Sequence, residues 1–449
     1  MRIAVIGAGI SGIGSAWLLS RQHEVDVYES QPVLGGHART LDVTVGDDTF
    51  PVDLGFQVFN ERTYPNMIRF FECIDAPWFE SDMSFGVRIG AENIEWSGSS
   101  LNTVFAQRAN LTNPRFLKML TDIVRFSHDA DRLLADPAVD SLTLGELIAR
   151  EGYSAPFIDW YLIPMGAAIW STPPGQFLDY PAGTFLRFCD NHGLLHITGK
   201  PLWRGVVGGS RSYVEAAAKG FSGKVFLGER VTRVERTPDG VTVITADRSA
   251  TYDAVVIAAH APTSLSLLAE PTAAEREVLG AFSYQPNEIA LHTDVSFLPV
   301  SHRAWASWNW FAETGDSTKD SLSLTYWVNN MQQLPADAPP VLETLNPHKP
   351  YAEGSVVERL CLDHPLFTAE AIAAQHRLAE IQGTGGVYYA GAWQRYGFHE
   401  DGLLSAVRVA ELLGVAAPWA DELDETHTRV LPATAEGATS SARVIGGVR

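Results

Sequence analysis

A chain of 449 residues, 46% hydrophobic and only 19% charged, can bury about three quarters of its unfolded surface, which excludes a chain disordered over most of its length. The 33 basic against 53 acidic residues give a formal net charge of −20, the wrong sign for a nucleic-acid binder. Cys73, Cys189 and Cys361 stand alone with no CxxC spacing, which excludes a small disulfide scaffold and fits a reducing compartment.

Met1-Arg2 runs straight into Ile3-Ala4-Val5-Ile6, a buried strand rather than a secretory signal. No apolar run reaches about 18 residues, so a spanning helix is not expected. The protein is expected to be soluble and cytoplasmic, with peripheral contact at a membrane left open and the oligomeric state not set by the sequence. Residues 2–6 read as a strand, Gly7 to Gly14 as a tight turn, Ser15 to Arg21 as a helix and Val25 to Glu29 as a second strand. Residues 61–200 become aromatic and helix-like, with Phe116, Leu117, Met119, Leu120, Ile123 and Val124 at near-helical spacing. β character returns at 225–227 and 231–234, and Pro238-Asp239-Gly240 turns the chain towards Val241 and Val243. Tyr252 to Ala258 reads as an apolar strand, Leu322 to Val328 as an alternating one, and Gly386 to Ala390 as a last strand before a helix from Asp401 to Leu413. The economical architecture is α/β: a Rossmann-like nucleotide-binding domain assembled from 1–60, 203–265 and 385–415, with an inserted α+β substrate domain from 61–202 and 266–384. Residues 416–449 turn to Ala, Thr, Ser and Gly and read as a loose tail.

Gly7-x-Gly9-x-x-Gly12 lies between a strand and a helix, the context that a dinucleotide fingerprint requires. The first glycine allows the tight turn, the second lets backbone approach a pyrophosphate, and the third lets helix and strand pack closely. Ile10 and Ser11 open the helix whose N-terminus faces phosphate charge. Glu29 ends the second strand, where an acid bonds ribose hydroxyls. One full fingerprint followed by Gly35-Gly36 favours FAD over NAD.

From the fingerprint to about residue 415 the sequence resembles the flavin-containing amine oxidase superfamily, which includes monoamine oxidases, carotenoid desaturases and protoporphyrinogen oxidases. Asp53-Leu54-Gly55 resembles the family stretch that passes the flavin, and Val231 the residue whose backbone meets the adenine. Tyr388 to Leu413 resembles the strand, turn and helix that cradle the flavin ring, with Gly391-Ala392 near the ribityl and phosphate and Asp401, Gly402 and Leu403 opening the helix. Val33 and His37 stand where the family carries arginines beside the glycine pair, and Ala392 where it carries an acid. The C-terminal stretch lacks the cysteine that tethers flavin in monoamine oxidases, so the resemblance implies non-covalent FAD. Phe59 to Asn66, Ser81 to Phe85, Ile169 to Pro173, Asn191 to Leu195 and Val206 to Val214 resemble a bacterial subfamily of predicted flavin oxidases and the N-terminal flavin domain of plant cyclopropane fatty acid synthases. That narrower resemblance implies chemistry on acyl chains or another apolar substrate.

His192 and His196 have the i, i+4 spacing of a metal pair, but Gly193 weakens a helix there and no carboxylate completes a zinc set, so no metal is expected. His192 and His399 are the candidate catalytic groups, His192 as a pocket lining and His399 as a proton relay. Asp401 also reads as a helix cap. Trp170 and Phe398 are the candidate substrate contacts, and Phe398 occupies the single alignable position of the amine-oxidase tyrosine cage. Lys200 and Lys349 are the lysines considered for an amine-oxidising site. The expected activity is an FAD-dependent oxidase or desaturase taking hydride from a C–H bond of a small-molecule or lipid substrate. A flavin amine oxidase, or a flavin-fold lipid binder without redox chemistry, are the alternatives.

Overall fold

The computed structural model describes residues 1–45, 47–171, 173–195, 201–316 and 319–423. His196, Lys200 and residues 424–449 of the expected tail lie outside the described residues. Five parallel strands form the central sheet, in the order Val225–Leu227, Glu24–Glu29, Arg2–Ile6, Ala254–Ile257 and Val387–Tyr389. Three stretches of chain therefore build one sheet. The strands are near-continuous apolar runs because both faces are covered. Ile3, Val5, Val25, Val27, Ala254 and Val256 face a helical core, whereas Ala4, Ile6, Tyr28, Val255 and Ile257 face a core shared with the antiparallel strands Val231–Thr237 and Gly240–Thr245.

The helix after the first strand begins at Ile10, not Ser15, and runs to Leu19. Gly12 and Gly14 thus lie inside it, where they admit neighbouring backbone and side chains rather than forming a turn. The last helix, His399–Leu412, packs across it: a Cβ at Gly14 would lie 2.7 Å from Leu403, and one at Gly402 would lie 2.7 Å from Ile10 and 2.9 Å from Ser11.

A seven-stranded sheet forms the second body, in the order Val356–Leu366, Ser283–His292, Leu342–Leu345, Leu324–Trp327, Trp308–Ala312, Phe85–Ile89 and Ile94–Ser97. All its pairings are antiparallel except that between Trp308–Ala312 and Phe85–Ile89. The helices Pro114–Leu134, Leu144–Glu151, Ile163–Trp170 and Ala182–Asn191 share an aromatic core with it. Among the described residues no helix is long and apolar enough to cross a membrane.

Three boundaries differ from the sequence reading. Residues 64–78, expected in the second body, pack with the first helix through Met67, Phe70 and Phe71. Leu267, Val278, Leu279, Ala371, Leu378 and Ile381, also expected there, belong to the core on the other face of the parallel sheet. Hydrophobic content alone did not distinguish which core these segments join. The start of the expected tail is docked rather than loose. Trp419 is 1% exposed, its ring is nearly parallel to that of Trp17 at 6.2 Å, and its Nε1 donates to Asn66 Oδ1 at 3.0 Å. The Ala-, Ser- and Gly-rich composition of the rest masked this anchor. Trp419→Ala should cost about 3–5 kcal/mol in chemical denaturation; a loose segment would lose no more than about 0.5 kcal/mol.

Candidate functional site

The first strand lies between Glu24–Glu29, the next element in the chain, and Ala254–Ile257, which arrives some 250 residues later. This is the point where the strand order switches, and a crevice opens there beyond the carboxyl ends of the strands. It leads into a cavity of about 1400 Å³. Single small-molecule sites commonly occupy about 300–1,000 Å³, so a dinucleotide and a substrate both have room.

Gly7, Gly9, Ile10, Ser11 and Glu29 line one end. No side chain caps the helix Ile10–Leu19, and its first turn carries no acid, so its N-terminal N–H groups are left to an anion. A Cβ at Gly9 would meet nothing within 4 Å, whereas one at Gly36 would lie 2.9 Å from the Gly9 Cα. Gly36 therefore closes one wall against the fingerprint while the space over Gly9 stays open. Glu29 accepts the Ala8 and Gln31 N–H groups, each at 2.8 Å, which hold its carboxylate at the rim with lone pairs to spare for hydroxyls. This cradle fits a dinucleotide pyrophosphate and ribose.

His37, Gly55, Gly391, Ala392, Phe398 and His399 continue the cavity wall, and His192 and Trp170 join it from the second body. His399 stacks on Phe56 at 3.8 Å, and its buried Nε2 has no partner among the described residues. The His192 ring lies 3.9 Å from that of Phe188 and its Nδ1 is 2.9 Å from the Phe188 carbonyl, so it is anchored to its own helix. Phe188 also stacks on Phe398 at 5.2 Å. Lys349 is not in the cavity; its ammonium donates to Ser296.

Several expected contacts do not line the cavity. Asp53 is buried between the antiparallel pair Ala38–Val45 and Asp48–Gly55, on which it lies, and the helix Ser210–Ala218. It accepts the Ser210 N–H at 2.7 Å and the Thr40 and Ser210 hydroxyls, so it holds a helix start rather than a cofactor. Asp401 accepts the Phe398 N–H at 3.0 Å and lies 3.8 Å from the Arg395 guanidinium; it caps its own helix. Gly402 and Leu403 are the helix-crossing residues described above. Gly12 and Gly35 set backbone approach: a Cβ on Gly12 would strike the Gly7 carbonyl, and the Gly35 N–H donates to Ala8 at 2.8 Å. Val231 faces the core, and its neighbour Arg230 lines the cavity instead.

Sequence reasoning missed five residues. Arg39 and Arg230 line the cavity with no ion-pair or hydrogen-bond partner among the described residues, free for phosphate. The residues His260 and His364 meet His37 at ring distances of 6.1 and 5.6 Å. Burial, reinforced by mutual repulsion, lowers His37 to about 4 and His364 to about 3, and burial also holds His260 and His399 down. Glu343, the fifth, lines the cavity from the seven-stranded sheet, and burial pushes it up to about 8. The two arginines lay next to motif residues already singled out, a usable signal. Nothing in the sequence marks the histidines, scattered at 37, 260, 364 and 399, as neighbours.

With this geometry in place, comparison with known proteins shows the family. Residues 10–345 match the model of the flavin containing amine oxidoreductases. The carotenoid phi-ring synthase of Chlorobaculum tepidum is 29% identical over 183 residues, which cover 37% of this chain and 28% of that protein. A Mycobacterium tuberculosis protein, AofH, that bears a flavin-containing monoamine oxidase name is 27% identical over 275 residues, 58% of this chain and 57% of its own. The chain thus spans about a quarter to about half of the length of these relatives. The solved structure of a CLA-producing fatty acid isomerase from P. acnes superposes with a TM-score of 0.66 at 14% identity, covering 92% of this chain and 98% of that one.

Gly9→Val should abolish FAD retention, because a branched side chain would fill the open space above the fingerprint; Glu29→Ala should weaken it more mildly. FAD content after gel filtration of each variant checks this, and full retention by Gly9→Val would misplace the phosphate.

The FAD-free protein should be most stable near pH 6.5. His37, His192, His292 and His348, lowered to about 4, and His364, lowered to about 3, stay neutral when folded, while their unfolded counterparts take up protons below 6.5. Acid therefore favours unfolding from there down to about 4. Buried Glu343 and Glu400, raised to about 8 and about 7, keep their protons when folded but lose them above about 4.5 when unfolded, so rising pH favours unfolding up to about 8. Below 6.5 the five imidazoles outnumber the two carboxyls; above it the carboxyls act alone. Melting temperature against pH should peak near 6.5, and a monotonic rise to pH 8 would contradict this. The FAD cradle and the family match together fix the wider identity: this chain belongs to the flavin-containing amine oxidoreductases, with non-covalent FAD as its cofactor.

Proposed function

We propose that the chain is an FAD-dependent oxidase or desaturase that takes hydride from a C–H bond of an apolar substrate, an acyl lipid being the class that fits. The observation that carries this reading is the continuity of one cavity from the fingerprint cradle to a wall formed by Trp96, Met165, Ile169, Trp170, Phe188 and Leu345. Bound FAD supplies a two-electron hydride acceptor. The helix N-terminus at Ile10, with Arg39 and Arg230, holds the pyrophosphate, and Glu29 holds a ribose. The aromatic wall excludes water and orients an alkyl chain, and Phe398 stacks on Phe188 within that wall.

The amine-oxidase reading has the AofH likeness and the Glu343 carboxyl in its favour. Glu343 is held mostly protonated at pH 7, so it offers an ammonium no full counter-charge, and Phe398 supplies only one aromatic of a cage. The neutral substrate is the better fit.

Each buried methylene contributes about 0.8 kcal/mol, so affinity should rise about fourfold per methylene along an acyl series until the cavity is full. Anaerobic flavin bleaching across acyl lipids and alkylamines checks it. Rapid bleaching by simple amines with no response to any lipid would promote the amine oxidase; binding of lipids without bleaching would promote a lipid-presenting protein.

A further inference from the structure

Directly opposed residues on neighbouring strands share a face. Phe85 opposes Trp308, Trp308 opposes Tyr326, and Tyr326 opposes Glu343, so one row across the seven-stranded sheet carries three aromatic rings and then a carboxyl. All four line the cavity. Glu343 is 1% exposed, and no cation pairs with it among the described residues. Burying such a group costs stability, and groups perturbed in this way cluster at functional sites.

Its surroundings have a fixed polarity. The Gln332 side chain grips the Asp53 backbone, accepting its N–H at 2.9 Å and donating to its carbonyl at 3.0 Å, which determines the orientation of that amide. Gln332 Nε2 also donates to Gln57 Oε1 at 2.9 Å, so the Gln57 amino group is turned to Glu343 and donates to Oε2 at 2.6 Å. The Gly55 backbone bonds the same carboxyl. Both partners are donors, so neither can take a proton from Glu343, and any exchange runs through the cavity. Gly55 and Phe56 in turn abut His37 and His399, which places Glu343 where the cofactor half and the substrate half meet.

We infer that Glu343 is the redox-linked proton site of this cavity: its carboxyl binds a proton when bound flavin is reduced and releases it on reoxidation. The inference rests on the reading that FAD fills the cradle. Oxidation of a substrate breaks two bonds to hydrogen. One hydrogen leaves with both electrons as hydride for the flavin, and above about pH 8, where Glu343 is ionised before reduction, its carboxylate takes the other as a proton. Reoxidation by dioxygen or a quinone removes that hydride and draws the proton back from Glu343, so the acceptor gains two electrons and two hydrogens.

Electrons arriving nearby raise the proton affinity of a carboxylate, and burial already brings this one near the working range. The other titratable groups that face it differ in kind. Tyr326 is pushed far up by burial and by Glu343 itself, and Asp53 is pushed up by burial but tied to Thr40 and Ser210. His37 and His399, across Gly55 and Phe56, are held low.

The test is the midpoint potential of the FAD-loaded protein measured against pH by dye-coupled reduction. Above about pH 8 the wild type should take up one more proton per two electrons than Glu343→Gln, a slope steeper by a factor of ten in equilibrium constant per pH unit, or about 30 mV. Parallel curves for the two proteins would overturn the inference. If Glu343→Gln does not fold, Gln57→Leu decides: it removes a donor to the carboxylate, so the break should move to higher pH, and an unmoved break would overturn the inference. A yellow protein with parallel curves refutes only the role of Glu343, whereas a chain that binds no FAD refutes the flavin reading as well.

Discussion

The N-terminus of the helix Ile10–Leu19 is wedged between two backbones that leave no room for side chains. Gly36 presses on Gly9 from one side, and Gly402 on Ile10 and Ser11 from the other. This double contact sets the remaining geometry. It holds the first-turn N–H groups at the crevice without a capping side chain, and it keeps open the space above Gly9. It also brings the last helix, and with it Phe398 and His399, to the same cavity as the fingerprint. Buried Glu400, one residue on, accepts the backbone N–H groups of Asn66 and Met67 at 3.0 and 2.9 Å, so the crossing also fixes the start of the helix Pro65–Cys73. Enlarging Gly36 or Gly402 would move the cofactor site and the substrate passage together.

The parallel sheet was legible because each of its strands is a short apolar run with a local signal beside it. The fingerprint marks Arg2–Ile6, an acid ends Glu24–Glu29, and Pro238-Asp239-Gly240 marks the antiparallel pair that covers the far face. The helix start was misread because glycines at 12 and 14 suggest a turn to a reader who cannot see a second helix lying against them. Which core claims 64–78, 266–282 and 369–384 depends on contacts made across the chain, and amphipathic periodicity carries no such address.

The same distinction separates the site residues. Gly9, Glu29, Gly36, Gly391 and Phe398 line the cavity where local motifs lie, so a motif finds them. Asp53 was read as a cofactor contact because an acid beside a cofactor motif and an acid holding a helix start look alike in sequence; Asp401, read both as a cofactor contact and as a cap, caps its helix, and only the hydrogen-bond partners tell such roles apart. Glu343 was invisible because its meaning comes from four strands in register and a glutamine chain reaching it from another element. The consequence is a cavity with uneven electrostatics. The fingerprint end holds two arginines without partners among the described residues, burial holds the histidines beside it low, and the apolar end holds a carboxyl that burial pushes up to about 8. Such a cavity suits an anionic cofactor and a neutral substrate.

The most direct test of this account is the cofactor itself. The purified chain should be yellow, and acid or heat denaturation should release about one equivalent of FAD into the supernatant without proteolysis, identified by mass. A colourless chain that cannot be reconstituted with FAD would contradict the central claim, and flavin that stays with the precipitated chain would contradict the non-covalent cradle.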